Sequence, residues 1–203
     1  GENYVGFDAS TFNSSVVFTY NYAFGGATIN GSLVAPYEPT VLSFIDQVKE
    51  FLTGGLLRAR ISPGTVAPQF SHFPLRASLT LLRFADTLLD EYFALMQNLV
   101  LSQLDRSAVG ARNFLFFNVP RVDLTPLIVA EGATAQAQLE SVIDDFNTRL
   151  ASPVGVGPVQ ENSTGVMTWL WDFNSVFTMI LSAPTKFGFV DAVGYGNTGD
   201  LWG

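Results

Sequence analysis

Cysteine is absent from the 203 residues, and histidine occurs once, at His72. The first absence removes disulfides, thiolate metal sites and a cysteine nucleophile together. With one imidazole and no thiol, no transition-metal ligand set can be assembled, and neither a metal nor a cofactor is expected. Positive charge is scarce as well. Ten Lys and Arg stand against eighteen Asp and Glu, for a net charge of −8. That balance argues against nucleic acid as a partner, because phosphate-binding domains concentrate basic residues on one face. No apolar run reaches the roughly 20 residues that cross a bilayer, so no membrane span is expected. No feature specifies an oligomeric state. No signal peptide is visible and the chain opens at Gly1 rather than Met, so a preceding N-terminal piece is expected. Sequons at Asn13, Asn30 and Asn162 would allow N-glycosylation in a secreted protein.

What is present points to a folded chain. Hydrophobic residues make up 48% and aromatics 13% of the sequence, which is enough for one domain over residues 1–203 with a sizeable core. Strand-like and helix-like segments alternate. Residues 16–23 are short, β-branched and aromatic, bounded by turn residues, and read as a buried strand. Val41, Phe44, Ile45, Val48 and Leu52 mark one face of a helix closed by Gly54-Gly55. A second helix is expected over about 84–104, with Leu88, Tyr92, Leu95 and Leu99 on its apolar side. Residues 113–119 read as a strand stopped by Pro120. A third helix carries Leu139, Val142, Ile143, Phe146 and Leu150. Residues 167–171 read as a strand, and a short helix follows Asp172 to about Leu181. Apolar strands separated by amphipathic helices predict an α/β fold, flavodoxin-like, with a mostly parallel sheet covered on both faces in three layers.

One stretch breaks the alternation. Between residues 56 and 83 acidic residues vanish, Arg58, Arg60, Arg76 and Arg83 appear with His72, and Pro63, Pro68 and Pro74 interrupt any helix or central strand. So long a loop inside a compact domain conflicts with the surrounding assignment. It reads as an anomalous insert or as a misread, out-of-frame segment, with the third strand of the sheet disrupted in either case.

In open α/β sheets ligands bind beyond the carboxyl ends of the strands. Three features fall on that rim: the Gly25-Gly26 turn, Asn118 and Asp172. The turn lies in the run Asn21-Tyr22-Ala23-Phe24-Gly25-Gly26-Ala27-Thr28-Ile29. Paired glycines can turn backbone N–H groups into a cleft, because no Cβ blocks a ligand and positive φ is open to them. Each feature also has a purely structural reading. The glycines then make a tight turn, Asn118 is a turn residue before Val119-Pro120, and Asp172 is the N-cap of the helix that follows.

The run 21–29 resembles the second block of the GDSL, or SGNH, ester hydrolases, above all their secreted fungal branch with its family 16-like carbohydrate acetyl esterases. The similarity continues through residues 33–37, 41–51, 86–90, 110–115, 118–120, 123–127, 168–172 and 195–203. It therefore covers nearly everything except 56–83. The resemblance implies an extracellular enzyme acting on acetylated carbohydrate or another small ester. In such enzymes a serine attacks the ester carbonyl, a histidine takes its proton and an aspartate orients the histidine. The oxyanion is held by the serine N–H, the second-block glycine N–H and an asparagine amide. Gly26 is the position matching that glycine. The chain contains no Gly-Asp-Ser, no Gly-x-Asn-Asp and no Asp-x-x-His. The resemblance would place the first of these ahead of Gly1, the second inside 56–83 and the last beyond Gly203. No catalytic residue is thus assigned, and the chain alone is expected to be inactive. Asp200 lies near the expected histidine block and either assists it or is a surface turn residue. His72, with no acidic neighbour in sequence, reads as a solvated side chain.

The alternative is a non-catalytic carbohydrate-binding or interaction domain on the same scaffold, with Trp169, Trp171 and Trp202 available to stack on sugar rings, although tryptophans within a strand are more often core. A dinucleotide site is disfavoured, since Gly25-Gly26 is not Gly-x-Gly-x-x-Gly.

Overall fold

The computed structural model describes residues 7, 10–12, 20–54, 68–69, 86–98, 113–152, 159–161 and 167–196. The chain divides into two compact units, Gly1–Ala77 with Ala85–Asn113, and Ser78–Phe84 with Phe114–Gly203.

In the first unit, β1 (Tyr20–Asn21) pairs in parallel with β2 (Pro68–Gln69), Tyr20 opposite Pro68 and Asn21 opposite Gln69. Pro68 lacks an N–H and is tolerated because β2 pairs on one side only among the described residues. Residues 16–19 of the expected strand, and all of 56–83 apart from β2, lie outside the described residues. Helix α1 (Phe44–Gly54) starts three residues after Val41, the first residue of the expected stripe, at a capping box. The Ser43 N–H and hydroxyl both donate to Asp46 Oδ2, at 3.1 and 2.6 Å, and the Asp46 N–H points back at Ser43 Oγ. Its buried face is Phe44, Val48 and Phe51, an i, i+4, i+7 stripe. Gln47 is also buried, and its amide is satisfied by the Leu42 carbonyl at 3.0 Å. Helix α2 (Asp86–Gln97) buries Leu89, Tyr92, Phe93 and Met96. Burial of the Tyr92 phenol pushes its pKa up, so the ring stays neutral.

The second unit holds a three-stranded sheet in the order β3 (Asn113–Phe117), β5 (Met167–Trp171), β4 (Val159–Glu161). Beside it stand α3 (Pro126–Glu131), α4 (Ala133–Ala151) and α5 (Phe173–Ser182). Pro126 opens α3, where its missing N–H costs nothing. Gly132, at φ +99°, separates α3 from α4. The expected stripe on α4 is the core: Leu139, Ile143, Phe146 and Leu150 are buried, with Ile128 of α3 and Val119 after β3. A charged clamp ties the turn between β3 and α3 to α4. Arg121 donates from Nε to Asp123 Oδ1 at 2.9 Å and from Nη2 to Oδ2 at 2.6 Å, and Nη2 also reaches Glu140 at 2.9 Å. The Asp123 side chain is fully buried.

The α/β expectation is borne out, with two differences in detail. Strand β4 was not anticipated, and it runs antiparallel to β5, with Val159 opposite Trp169 and Glu161 opposite Met167. Only residues 162–166 join the two strands, whereas a parallel crossover needs a dozen residues or more. Trp171, for which both a core and a sugar-stacking place were open, is 53% exposed, because it occupies the last position of β5. Among the described residues no helix is long and apolar enough to cross a membrane.

Candidate functional site

The glycine turn is built from its two flanks. On one side the Asn21 side chain accepts from the Ala23 N–H at 2.9 Å, closing a local turn where β1 ends. The Ala27 N–H then donates to the Phe24 carbonyl at 3.1 Å, so Gly25 and Gly26 are the central residues of a four-residue turn. Gly26 has φ +76°, the positive value that the third position of a type II turn requires.

On the other side the chain is fixed by α1. The N–H groups of Phe44 and Ile45 have no partner within their own helix, and they donate to the carbonyls of Thr28 and Ile29 at 2.7 and 3.2 Å. Ala27, Thr28 and Ile29 are all buried. Among the described residues nothing accepts from the Gly25 or Gly26 N–H. The Thr28 hydroxyl is buried and has no partner either. Among the described residues the turn thus has N–H groups without an acceptor, on a backbone fixed by the buried residues 27–29.

A residue the sequence did not single out lies against this turn. A Cβ placed on Gly26 would sit 2.6 Å from Cε1 and 2.7 Å from Cδ1 of Tyr37. The Tyr37 ring edge thus occupies the space a side chain would need, so φ favours glycine at position 26 and any larger residue must also displace this half-exposed ring. No periodic signal marks Tyr37, because it lies in a loop.

In the second unit the structure brings Asn118 and Asp172 together. Asn118 Nδ2 donates to Asp172 Oδ1 at 2.7 Å, and Asn118 Oδ1 accepts from the Asn174 N–H at 2.8 Å. Asp172 caps α5: its Oδ1 accepts from the Ser175 N–H at 3.0 Å and its Oδ2 from the Ser175 hydroxyl at 2.6 Å. These bonds, those from Ser175 foremost and the one from Asn118 after them, hold the Asp172 carboxyl below its ordinary pKa. It is a charged acceptor with its lone pairs engaged, which suits a clamp better than a proton acceptor in catalysis. The capping role anticipated for Asp172 is the observed one. Asn118 does more than turn the chain, since it fastens the end of β3 to the start of α5.

Two further asparagines complete this junction. The Asn147 amide of α4 both accepts from the Val119 N–H at 2.8 Å and donates to the Val119 carbonyl at 2.9 Å, pairing with the backbone as a neighbouring strand would. Asn174 Nδ2 donates to the same carbonyl at 2.9 Å. Gly26 belongs to the first unit and Asn118 and Asp172 to the second, while Asp200 and His72 lie outside the described residues. Among the described residues no three His, Asp or Glu side chains are grouped to hold a metal ion.

Comparison with known proteins agrees with an ester-hydrolysing lineage. No family model matches the chain. It is 31% identical over 217 aligned positions to an acetylesterase of Thermothelomyces thermophilus, an alignment covering 100% of this chain and 68% of that protein. With identity at that level along its whole length, the chain belongs to the acetylesterase family.

Proposed function

We propose that the chain is of the GDSL, or SGNH, acetylesterase type, from the secreted fungal branch, whose members act outside the cell on acetylated carbohydrate or a similar small ester, and that these residues alone are inactive. Within it the Gly26 N–H is one donor to the oxyanion of the tetrahedral intermediate. The observation that carries this reading is the Gly25-Gly26 turn, whose N–H groups have no acceptor among the described residues and whose backbone is tied to α1. The run of residues resembling the second block of that family sits on this turn. The nucleophile, the base and the remaining oxyanion donors have no matching motif in these 203 residues. Loss of a triad nucleophile or base lowers turnover by on the order of 10⁶, so the chain by itself holds a binding remnant of the site rather than a working one.

The test is titration of the 15N-labelled chain with methylphosphonate, a tetrahedral anion shaped like the acetyl-transfer intermediate. Saturable movement of the Gly26 amide resonance, lost in Gly26→Trp, is the expected result. Resonances that stay still at tens of millimolar ligand would remove the oxyanion role from Gly26.

A second reading is favoured by one observation. Trp171 is 53% exposed beside the Asn118–Asp172 junction, as a sugar-stacking side chain in a non-catalytic carbohydrate-binding domain would be. Saturable oligosaccharide binding that vanishes in Trp171→Ala, with a methylphosphonate titration that moves nothing, would favour it over the esterase reading.

A further inference from the structure

The loop that carries Tyr37 is held by a series of local hydrogen bonds. Asn30 organises its start: the side chain accepts from the Ser32 N–H at 2.9 Å, and the carbonyl accepts from the N–H groups of Leu33 and Val34 at 3.0 and 3.1 Å. Pro36 lies over Gly31, within 3.7 Å of the Cβ position there. A last turn, from the Val41 N–H to the Glu38 carbonyl at 3.1 Å, leads into α1. These bonds return the chain so that Tyr37 meets Gly26, although ten residues separate the two in sequence.

The contact is one-sided. The ring edge reaches the Cβ position of Gly26, yet Tyr37 remains 56% exposed. Covalent geometry places a ring carbon no more than about 5 Å from the Gly26 nitrogen. An anion or carbonyl oxygen hydrogen-bonded to that nitrogen lies within about 8 Å of a ring that solvent still reaches, a span that one sugar ring bridges. A closed apolar pocket for an acyl chain would bury such a ring. An open face next to a polar anchor suits instead the alcohol part of the ester, because the C–H face of a pyranose packs on an aromatic ring while its hydroxyls stay in water.

We propose that Tyr37 is the sugar-stacking platform of the esterase site, a specificity-determining residue that holds the carbohydrate moiety while the Gly26 N–H holds the ester oxygen. The assignment rests on the esterase reading for its orientation, and it adds a side chain and a subsite to that reading.

The experiment uses the full chain, 15N- and 13C-labelled, titrated separately with xylotriose, cellotriose and mannotriose. The Tyr37 ring resonances shift saturably with at least one triose. Tyr37→Phe keeps the affinity within about twofold, and Tyr37→Ala weakens it by about tenfold, the range of a lost aromatic stacking contact. Methylphosphonate, titrated into the same Tyr37→Ala variant, still moves the Gly26 amide, which separates loss of the platform from loss of the turn or of the fold. Triose binding unchanged in Tyr37→Ala, or lost only in Trp171→Ala, overturns the proposal, as does failure of all three trioses to shift the Tyr37 ring. If methylphosphonate fails to bind the unaltered chain while a triose shifts Tyr37, the platform stands and the oxyanion reading of Gly26 falls.

Discussion

Asn118 Nδ2 lies 2.7 Å from Asp172 Oδ1, joining residues 54 positions apart. The bond places the end of β3 beside the end of β5, where the Asn118 N–H also donates to the Trp171 carbonyl at 3.2 Å. The same asparagine holds the Asn174 N–H in the first turn of α5. One side chain thus satisfies an otherwise unpaired helix N–H and orients the carboxylate that caps that helix.

Replacing Asn118 with Ala leaves two groups without their partner, and we expect a loss of about 1–3 kcal/mol of unfolding free energy. Urea unfolding measures it. Asn118→Asp sets a second carboxylate against Asp172, so its deficit is larger at neutral pH and shrinks as either group is protonated. A stability equal to that of the unaltered chain would mean that water replaces the amide without cost.

The depressed pKa of Asp172 has a definite pH consequence. Its folded value lies below the ordinary 3.8, so the charged form is favoured by folding. The stabilisation is fully present above the unfolded pKa and is lost as pH falls through the lower, folded value. The stability gap between the unaltered chain and Asp172→Ala is therefore flat above about pH 5 and narrows below pH 4. Urea unfolding across that range checks it, and a gap that widens with acid would reverse the sign.

Gly26→Ala meets both constraints at once. The positive φ costs about 1–3 kcal/mol for a residue with a Cβ, and the Tyr37 ring must move as well. Adding Tyr37→Ala removes whatever cost the displacement of the half-exposed ring carries and leaves the first. The double variant is thus expected to lose less than the sum of the two single variants, a coupling that thermal unfolding of all four proteins measures. Simple additivity would show that ring and turn are not in contact.

Asp123 is fully buried against Arg121. Removing Asp123 leaves Arg121 still paired with Glu140, so Asp123→Ala is expected to cost less than the roughly 3–5 kcal/mol of a fully broken buried pair. Glu140, which also reaches Arg121, limits the damage, and Glu140→Ala alone, at a half-exposed site, should cost far less. The order of the two variants in chemical unfolding is the check.

The sequence reading succeeded where burial is periodic. Helices α1 and α4 carry apolar residues at helical spacing, and strand β5 is a short apolar run bounded by turn residues, so each could be placed. The Asp172 cap was legible too, because a carboxylate before an apolar helix has one common use. The roles of Asn147 and Asn174 were not. A side chain pairing with distant backbone leaves no periodic trace, and it depends on the strand and helix being already in place. The approach of Tyr37 to Gly26 was hidden for the same reason, being set by successive turns between residues 30 and 41. Strand β4 escaped because three residues carry too little pattern. The sequence left Trp171 open between core and surface, and its place at the end of the strand decides for exposure.

The most direct test of the account is the initial rate of 4-nitrophenyl acetate hydrolysis by the purified chain, compared with buffer and with Gly26→Trp. The account predicts a rate indistinguishable from buffer for both proteins, because Gly26 offers a donor while these residues supply no matching nucleophile or base. A rate well above buffer that disappears in Gly26→Trp would contradict it, and would mean that the catalytic groups are among the residues present.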